Sequence, residues 1–209
     1  QGAVLASFFV GYLLTQVLSG WLADRYGGKA VLGIGVLLWS LFTILTPPAA
    51  IWGLGILLFV RVAMGMGEAV TYPSFHSLYA RWIPTEERTR AVALTNSGSQ
   101  AGTVFALVVT PIIVTRWGWE WAFYLFGAVG VIWYAGWQTR TTSVPAQHPS
   151  ISAQELETIR ASAPTQDIAT ALPWRELLKC APVWAIIVAH FCNNWSLYVL
   201  LAWLPKPPS

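Results

Sequence analysis

The sequence predicts an all-α membrane protein of about six spanning helices. Three observations lead there. Apolar residues make up 56% of the 209 residues and charged residues only 10%, with a mean hydropathy of +0.55. A soluble globular domain carries about 25% charged residues, and a soluble fold of this length could not hide so much apolar surface. The apolar residues also fall in runs close to the ~20 residues that one bilayer crossing needs. Finally, the basic residues sit almost entirely in alternate breaks between those runs.

Taken in order, the first span is Gly2–Ala23, ended by the charged loop Asp24–Lys29. The stretch Ala30–Val60 carries no charge and is too long for one crossing. Pro47-Pro48 and Gly53 are expected to break it into a second span, Ala30–Thr46, and a third, Leu54–Tyr79. The charged segment Arg81–Arg90 sets off a fourth, Ala91–Thr115, and Arg116–Glu120 a fifth, Trp121–Gln138. The polar stretch Thr139–Pro182 precedes a sixth, Val183–Leu204. Within that stretch, Ser152-Ala153-Gln154-Glu155 fits a capping box, so a short helix is expected to about Ala163. Pro173 fits the first residue of another. Residues 1–138 therefore read as a bundle of five spans, 139–182 as a cytoplasmic linker with short helices, and 183–209 as the first helix of a second bundle with a truncated tail.

The odd-numbered loops hold Arg25 and Lys29, then Arg81, Arg88 and Arg90, then Arg140, Arg160, Arg175 and Lys179. Against these nine the even-numbered loops hold Arg116 alone, so the odd loops are expected on the cytoplasmic or equivalent side. Trp117, Trp119 and Trp121 cluster at an expected membrane edge and read as an interfacial belt, with ligand binding as the alternative. There is no signal peptide and no initiator methionine, and residue 1 already lies in an apolar run, so the chain is expected to begin inside a longer protein.

Two cysteines, Cys180 and Cys192, are too few for a disulfide framework, and no spacing suits zinc or haem. No cofactor, metal or catalytic nucleophile is expected, so the chain does not read as an enzyme. The net charge of +3 is scattered, which argues against a nucleic-acid partner.

Arg61 and Glu68 are the main chemical signal, because both lie inside the third span. A charge at mid-membrane costs about 2.5–3.5 kcal/mol on insertion scales, so such groups usually face a cavity and act there. A spacing of seven puts them on one helix face, about 10 Å apart along the axis. Both side chains lean toward the helix start, so each needs a partner other than its neighbour. Two readings follow: a static buried pairing, or a cationic anchor for an anion beside a carboxyl that takes and releases a proton. His76 and His190 also lie in spans and are either proton relays or satisfied core histidines. Gly98 and Gly102 form a small-xxx-small pair suited to helix packing. Asn194-Trp195-Ser196 matches a glycosylation sequon but sits inside a span.

The loop Gly20-Trp21-Leu22-Ala23-Asp24-Arg25-Tyr26-Gly27-Gly28-Lys29 resembles the signature of the major facilitator superfamily between its second and third helices. It departs at Gly28, where arginine is usual. Further stretches resemble the anion:cation symporter family within that superfamily: Ser7 through Gln16, Arg61 through Glu68, Thr71-Tyr72-Pro73, Arg81-Trp82-Ile83-Pro84 with Glu87-Arg88, and Trp184 through Phe191. That family includes sialin, vesicular glutamate transporters, plant plastid phosphate transporters and bacterial sugar-acid importers.

The resemblance implies an incomplete major facilitator fold, covering helices two to seven of twelve and not expected to transport alone. It implies that Arg61 holds a small anionic substrate, with Tyr12 and Gln100 lining the cavity. Glu68 would carry the coupling proton, with His76 the next candidate, and sodium is the alternative coupling ion. Asp24, Arg25, Glu87, Arg88 and Arg90 would form a cytoplasmic gate. Ala69 replaces the family's usual glycine, and Asn193 replaces an arginine of the vesicular glutamate transporters, which disfavours glutamate as substrate. The function implied is secondary transport of a small organic anion or phosphate through a lipid bilayer. Plastid, vacuolar, plasma and bacterial inner membranes all fit. The rival is a truncated, non-transporting membrane protein that binds a partner or a full-length copy.

Overall fold

A computed structural model describes residues 2–162, 176 and 178–203. Among them the α-helices are α1 (Gly2–Tyr26), α2 (Gly28–Trp52), α3 (Leu54–Glu68), α4 (Thr71–Trp82), α5 (Arg88–Trp117), α6 (Trp119–Arg140), α7 (Ala153–Ser162) and α8 (Ala181–Trp203). Single 3-10 turns occupy Thr85–Glu87 and Pro145–Gln147. Four segments are long and apolar enough to cross a membrane: Gly2–Tyr26, Gly28–Trp52, Leu54–Trp82 and Thr85–Trp117. At 22 and 23 residues, α6 and α8 fall where the fifth and sixth spans are expected. Tryptophans and tyrosines lower the hydropathy of α6 without making it polar.

Two boundaries differ from expectation. Helix α2 runs straight through Pro47 and Pro48 and ends only at Gly53. The proline ring holds φ in the helical range, so two prolines near a helix end remove amide donors without forcing the chain out. Gly53 breaks the chain instead, with φ 127°, a value that a side chain would resist. The third span is likewise interrupted, since α3 and α4 are separated by Ala69 and Val70.

The described residues up to Ser162 form one compact unit and those from Glu176 another. In the first, α3 is held between α1 and α2, α2 also packs on α6, and α5 meets α6. Close approach depends on missing side chains. A methyl group at Gly11 would collide with the Val62 carbonyl, and one at Gly65 with the Phe8 carbonyl. A methyl at Gly67 would lie 2.9 Å from the Trp39 amide nitrogen. Helix α5 is different: Ile113 is its one buried residue, and a methyl at Gly98 or Gly102 would meet open space. That small-residue pair therefore packs against nothing among the described residues. In the second unit, Trp184 Nε1 donates to the Leu178 carbonyl at 2.8 Å just before α8. Cys180 and Cys192 are free and exposed, and the helix expected at Pro173 lies outside the described residues.

The capping box forms at α7, where the Glu155 amide donates to Ser152 Oγ at 3.1 Å. This short helix packs with the bundle, and Thr85 Oγ1 donates to the Ser162 carbonyl at 3.1 Å. Other bonds tie the remaining odd loops to the same end. Arg81 Nη2 donates to the Asp24 carbonyl at 3.3 Å, and Trp137 Nε1 to the Lys29 carbonyl at 3.0 Å. Single cysteines made by Thr85→Cys and Ser162→Cys, in a background lacking Cys180 and Cys192, should accordingly be labelled by an impermeant maleimide from one side of the membrane. Labelling from opposite sides would refute this topology.

Candidate functional site

The site is organised by the break in the third span. Pro73 has no amide hydrogen, so the carbonyl of Ala69, four residues earlier, cannot receive the usual helical bond. The backbone remains near helical there, with φ and ψ of −57° and −23° at Ala69. Thr71 Oγ1 donates to the Glu68 carbonyl at 2.7 Å, and Ser19 Oγ from α1 lies 3.2 Å from the Ala69 carbonyl. Glu68 is thus the last residue of α3, placed directly before a local irregularity.

Its carboxyl borders a cavity of about 420 Å³ lined by Tyr12, Trp39, Glu68, Thr71, Tyr72, Phe75, Thr95, Asn96 and Ser99. Four helices of the bundle besides α3 contribute: Tyr12 comes from α1, Trp39 from α2, Thr71, Tyr72 and Phe75 from α4, and the last three from α5. The walls combine hydroxyls, one amide, aromatic rings and a single carboxyl. Such a chamber can hydrogen-bond a small polar solute while keeping the acid half-buried.

Tyr12 and Glu68 therefore meet at one cavity, whereas Gln100 is exposed and His76 lies outside the lining, its ring edge-on to Tyr79 at 6.0 Å. Arg61 is not in the lining either. It lies two turns earlier on α3, its guanidinium 5.8 Å from the Phe123 ring centroid. Its Nε is buried without a hydrogen-bond partner among the described residues, as is Gln16 Oε1 on α1. Sequence reasoning missed Thr95, Asn96 and Ser99. Their signal is the polar run Thr95 through Gln100 inside an otherwise apolar span, and spacings of three and four from Ser99 put Asn96 and Thr95 on its helix face. Among the described residues no three His, Cys, Asp or Glu side chains gather as a metal site would require.

The residues expected to gate lie at the basic end. Arg25 covers the rings of Trp21 and Tyr26 at 5.1 and 5.9 Å. Arg88 closes the end of α4, donating from Nε to the Ile83 carbonyl at 3.2 Å and from Nη2 to the Ala80 carbonyl at 3.3 Å. Glu87 and Arg90 face Glu155 and Ile159 of α7 across a cavity of about 570 Å³. Among the described residues no ion pair joins Asp24 to Arg88 or Arg90.

Residues 1–206 match the Major Facilitator Superfamily. The chain belongs to that superfamily. Membership makes it an integral, multi-pass membrane protein, in keeping with the four apolar helices. It is 45% identical over 204 residues to the chloroplastic ascorbate transporter of Arabidopsis thaliana, covering 98% of this chain and 38% of the relative. It is 43% identical over 204 residues to the sodium-dependent phosphate transport protein 1, chloroplastic, of the same plant, covering 98% and 40%. It is 40% identical over 206 residues to human sialin, covering 98% and 42%. These are members of the anion:cation symporter branch that its motifs resemble, and they are transporters rather than enzymes. The chain spans about two fifths of the length of the curated relatives it matches.

Proposed function

We propose that this superfamily member contributes to secondary active transport of a small organic anion or inorganic phosphate, coupled to protons or sodium. The observation that carries the reading is the half-buried carboxyl of Glu68 on a polar cavity inside the helical bundle, with Arg61 two turns away on the same helix. Arg61 is the cation that balances the anion, Tyr12 adds a polar contact, and Glu68 carries the proton. The relatives support the class, since two are named for ascorbate and for sodium-dependent phosphate transport. In this superfamily the site lies near the bilayer midplane between two halves that rock about it. The odd loops at the basic end then form one of the two gates.

Uptake by the full-length protein in proteoliposomes tests this. Radiolabelled phosphate, ascorbate and a sugar acid should each be offered under an imposed proton or sodium gradient. Accumulation of at least one anion is expected, and it should stop when its driving gradient is collapsed. Binding of a membrane partner without accumulation of any anion under either gradient would overturn the proposal.

A further inference from the structure

Ser19 is wholly buried on α1, in a stretch that the reading above leaves without a role. Its hydroxyl has two acceptors: the Gln16 carbonyl of its own helix at 2.7 Å and the Ala69 carbonyl across the helix interface at 3.2 Å. The second acceptor exists because Pro73 supplies no amide to the Ala69 carbonyl, and Ala69 is itself wholly buried. A buried carbonyl in the membrane interior finds no water, so a side-chain donor from a neighbouring helix is the remaining partner. We infer that Ser19 is a positioning residue for Glu68, holding the Ala69 carbonyl that Pro73 leaves open and so fixing the end of α3 that presents the Glu68 carboxyl to the cavity. The inference rests on the reading of Glu68 as the proton carrier.

The surroundings leave this end of the helix little other freedom. Gly65 abuts the Phe8 backbone and Gly67 the Trp39 backbone, so α3 is pressed from two sides one turn before the break. Past Glu68, Val70 is buried against Gly35, and backbone bonds still run from the Ala69 amide to the Gly65 carbonyl at 3.1 Å and from the Ser74 amide to the Val70 carbonyl at 3.0 Å. The hydroxyls of Ser19 and Thr71 serve the Ala69 and Glu68 carbonyls between them. One hydroxyl proton serves one acceptor at full strength. The contact to the Gln16 carbonyl is the shorter, so the proton is shared between the two, and a full turn toward Gln16 would release the Ala69 carbonyl and let the segment bearing Glu68 shift. Ser19 therefore sets where the carboxyl sits without touching substrate.

Two independent comparisons in the full-length protein test the assignment. Ser19→Thr and Ser19→Val have nearly the same shape and differ in the hydroxyl. Valine should lower the melting temperature, slow gradient-driven uptake about tenfold and displace the pH at half-maximal uptake, while threonine leaves all three close to the parent. Substrate affinity in exchange should stay within about twofold for both, since neither touches the cavity wall. Pro73→Ala restores an amide to the Ala69 carbonyl, so Ser19→Val should have little further effect in that background. Equal loss from Ser19→Val with and without Pro73, or equal loss from threonine and valine, would overturn the proposed bond. A lower melting temperature with an unmoved pH profile would make Ser19 structural only and overturn its positioning role. Should Glu68→Gln still concentrate the anion on a proton gradient, the proton-carrier reading fails, and the melting comparison still decides the Ser19–Ala69 bond separately.

Discussion

Arg61→Gln is expected to abolish binding of the transported anion, and with it both net uptake and exchange. Among the described residues no ion pair engages the half-buried guanidinium, and its Nε has no hydrogen-bond partner. The guanidinium lies over the ring of Phe123, which favours a cation but does not neutralise it. An anion entering the bundle would supply the missing charge. Removing one member of such a desolvated pair typically costs 2–5 kcal/mol, so affinity should fall by at least about 30-fold. Arg61→Lys keeps the charge and loses the forked geometry that grips a carboxylate or phosphate, so weak binding is expected. Equilibrium binding of radiolabelled anion to the purified protein is the measurement. Normal affinity in Arg61→Gln would make Arg61 a structural residue and remove it from the site.

Glu68→Gln is expected to fail differently. Glutamine keeps the size and hydrogen bonding of the side chain but cannot release a proton. Uptake driven by a proton gradient should disappear, whereas counterflow exchange should persist, because exchange need not return an empty, deprotonated carrier. The distinction depends on Glu68 and Arg61 occupying separate places, and they do: the carboxyl borders the cavity among Tyr12, Tyr72 and Asn96, while Arg61 lies two turns away beside Phe123. Concentrative uptake by Glu68→Gln on a proton gradient would show that the proton travels elsewhere. His76, exposed and outside that lining, would then need examination by the same assay.

Most of the architecture was legible because lipid leaves strong marks on a sequence. Apolar runs located the helices, and the alternation of basic loops agrees with the bonds that join Arg81 to Asp24, Trp137 to Lys29 and Thr85 to Ser162 at one end. Buried charge singled out Arg61 and Glu68 for a similar reason, since a charge inside a span is costly wherever it lies. The interruptions were harder to read. Proline at 47 and 48 lies within a helix, while Pro73 accompanies a break between two helices. Each proline withholds an amide from the carbonyl four residues earlier, so the local sequence alone does not separate the two cases. The cavity wall on α5 was hidden for another reason. Its polar residues are small, the helix is apolar on several sides, and the family resemblance pointed to Gln100 although Thr95, Asn96 and Ser99 line the space. Nothing in the sequence indicated that Arg88 would close the end of α4.

The bond between Thr85 and Ser162 joins positions 77 apart, with α5 and α6 between them. Each crossing moves the growing chain to the opposite compartment, so the two residues can meet only when an even number of crossings separates them. A nascent chain in which α5 had inserted and α6 had stalled would strand them in different compartments. Closure of this contact is thus a parity check on biogenesis. It reports that α6 has followed α5 through the bilayer.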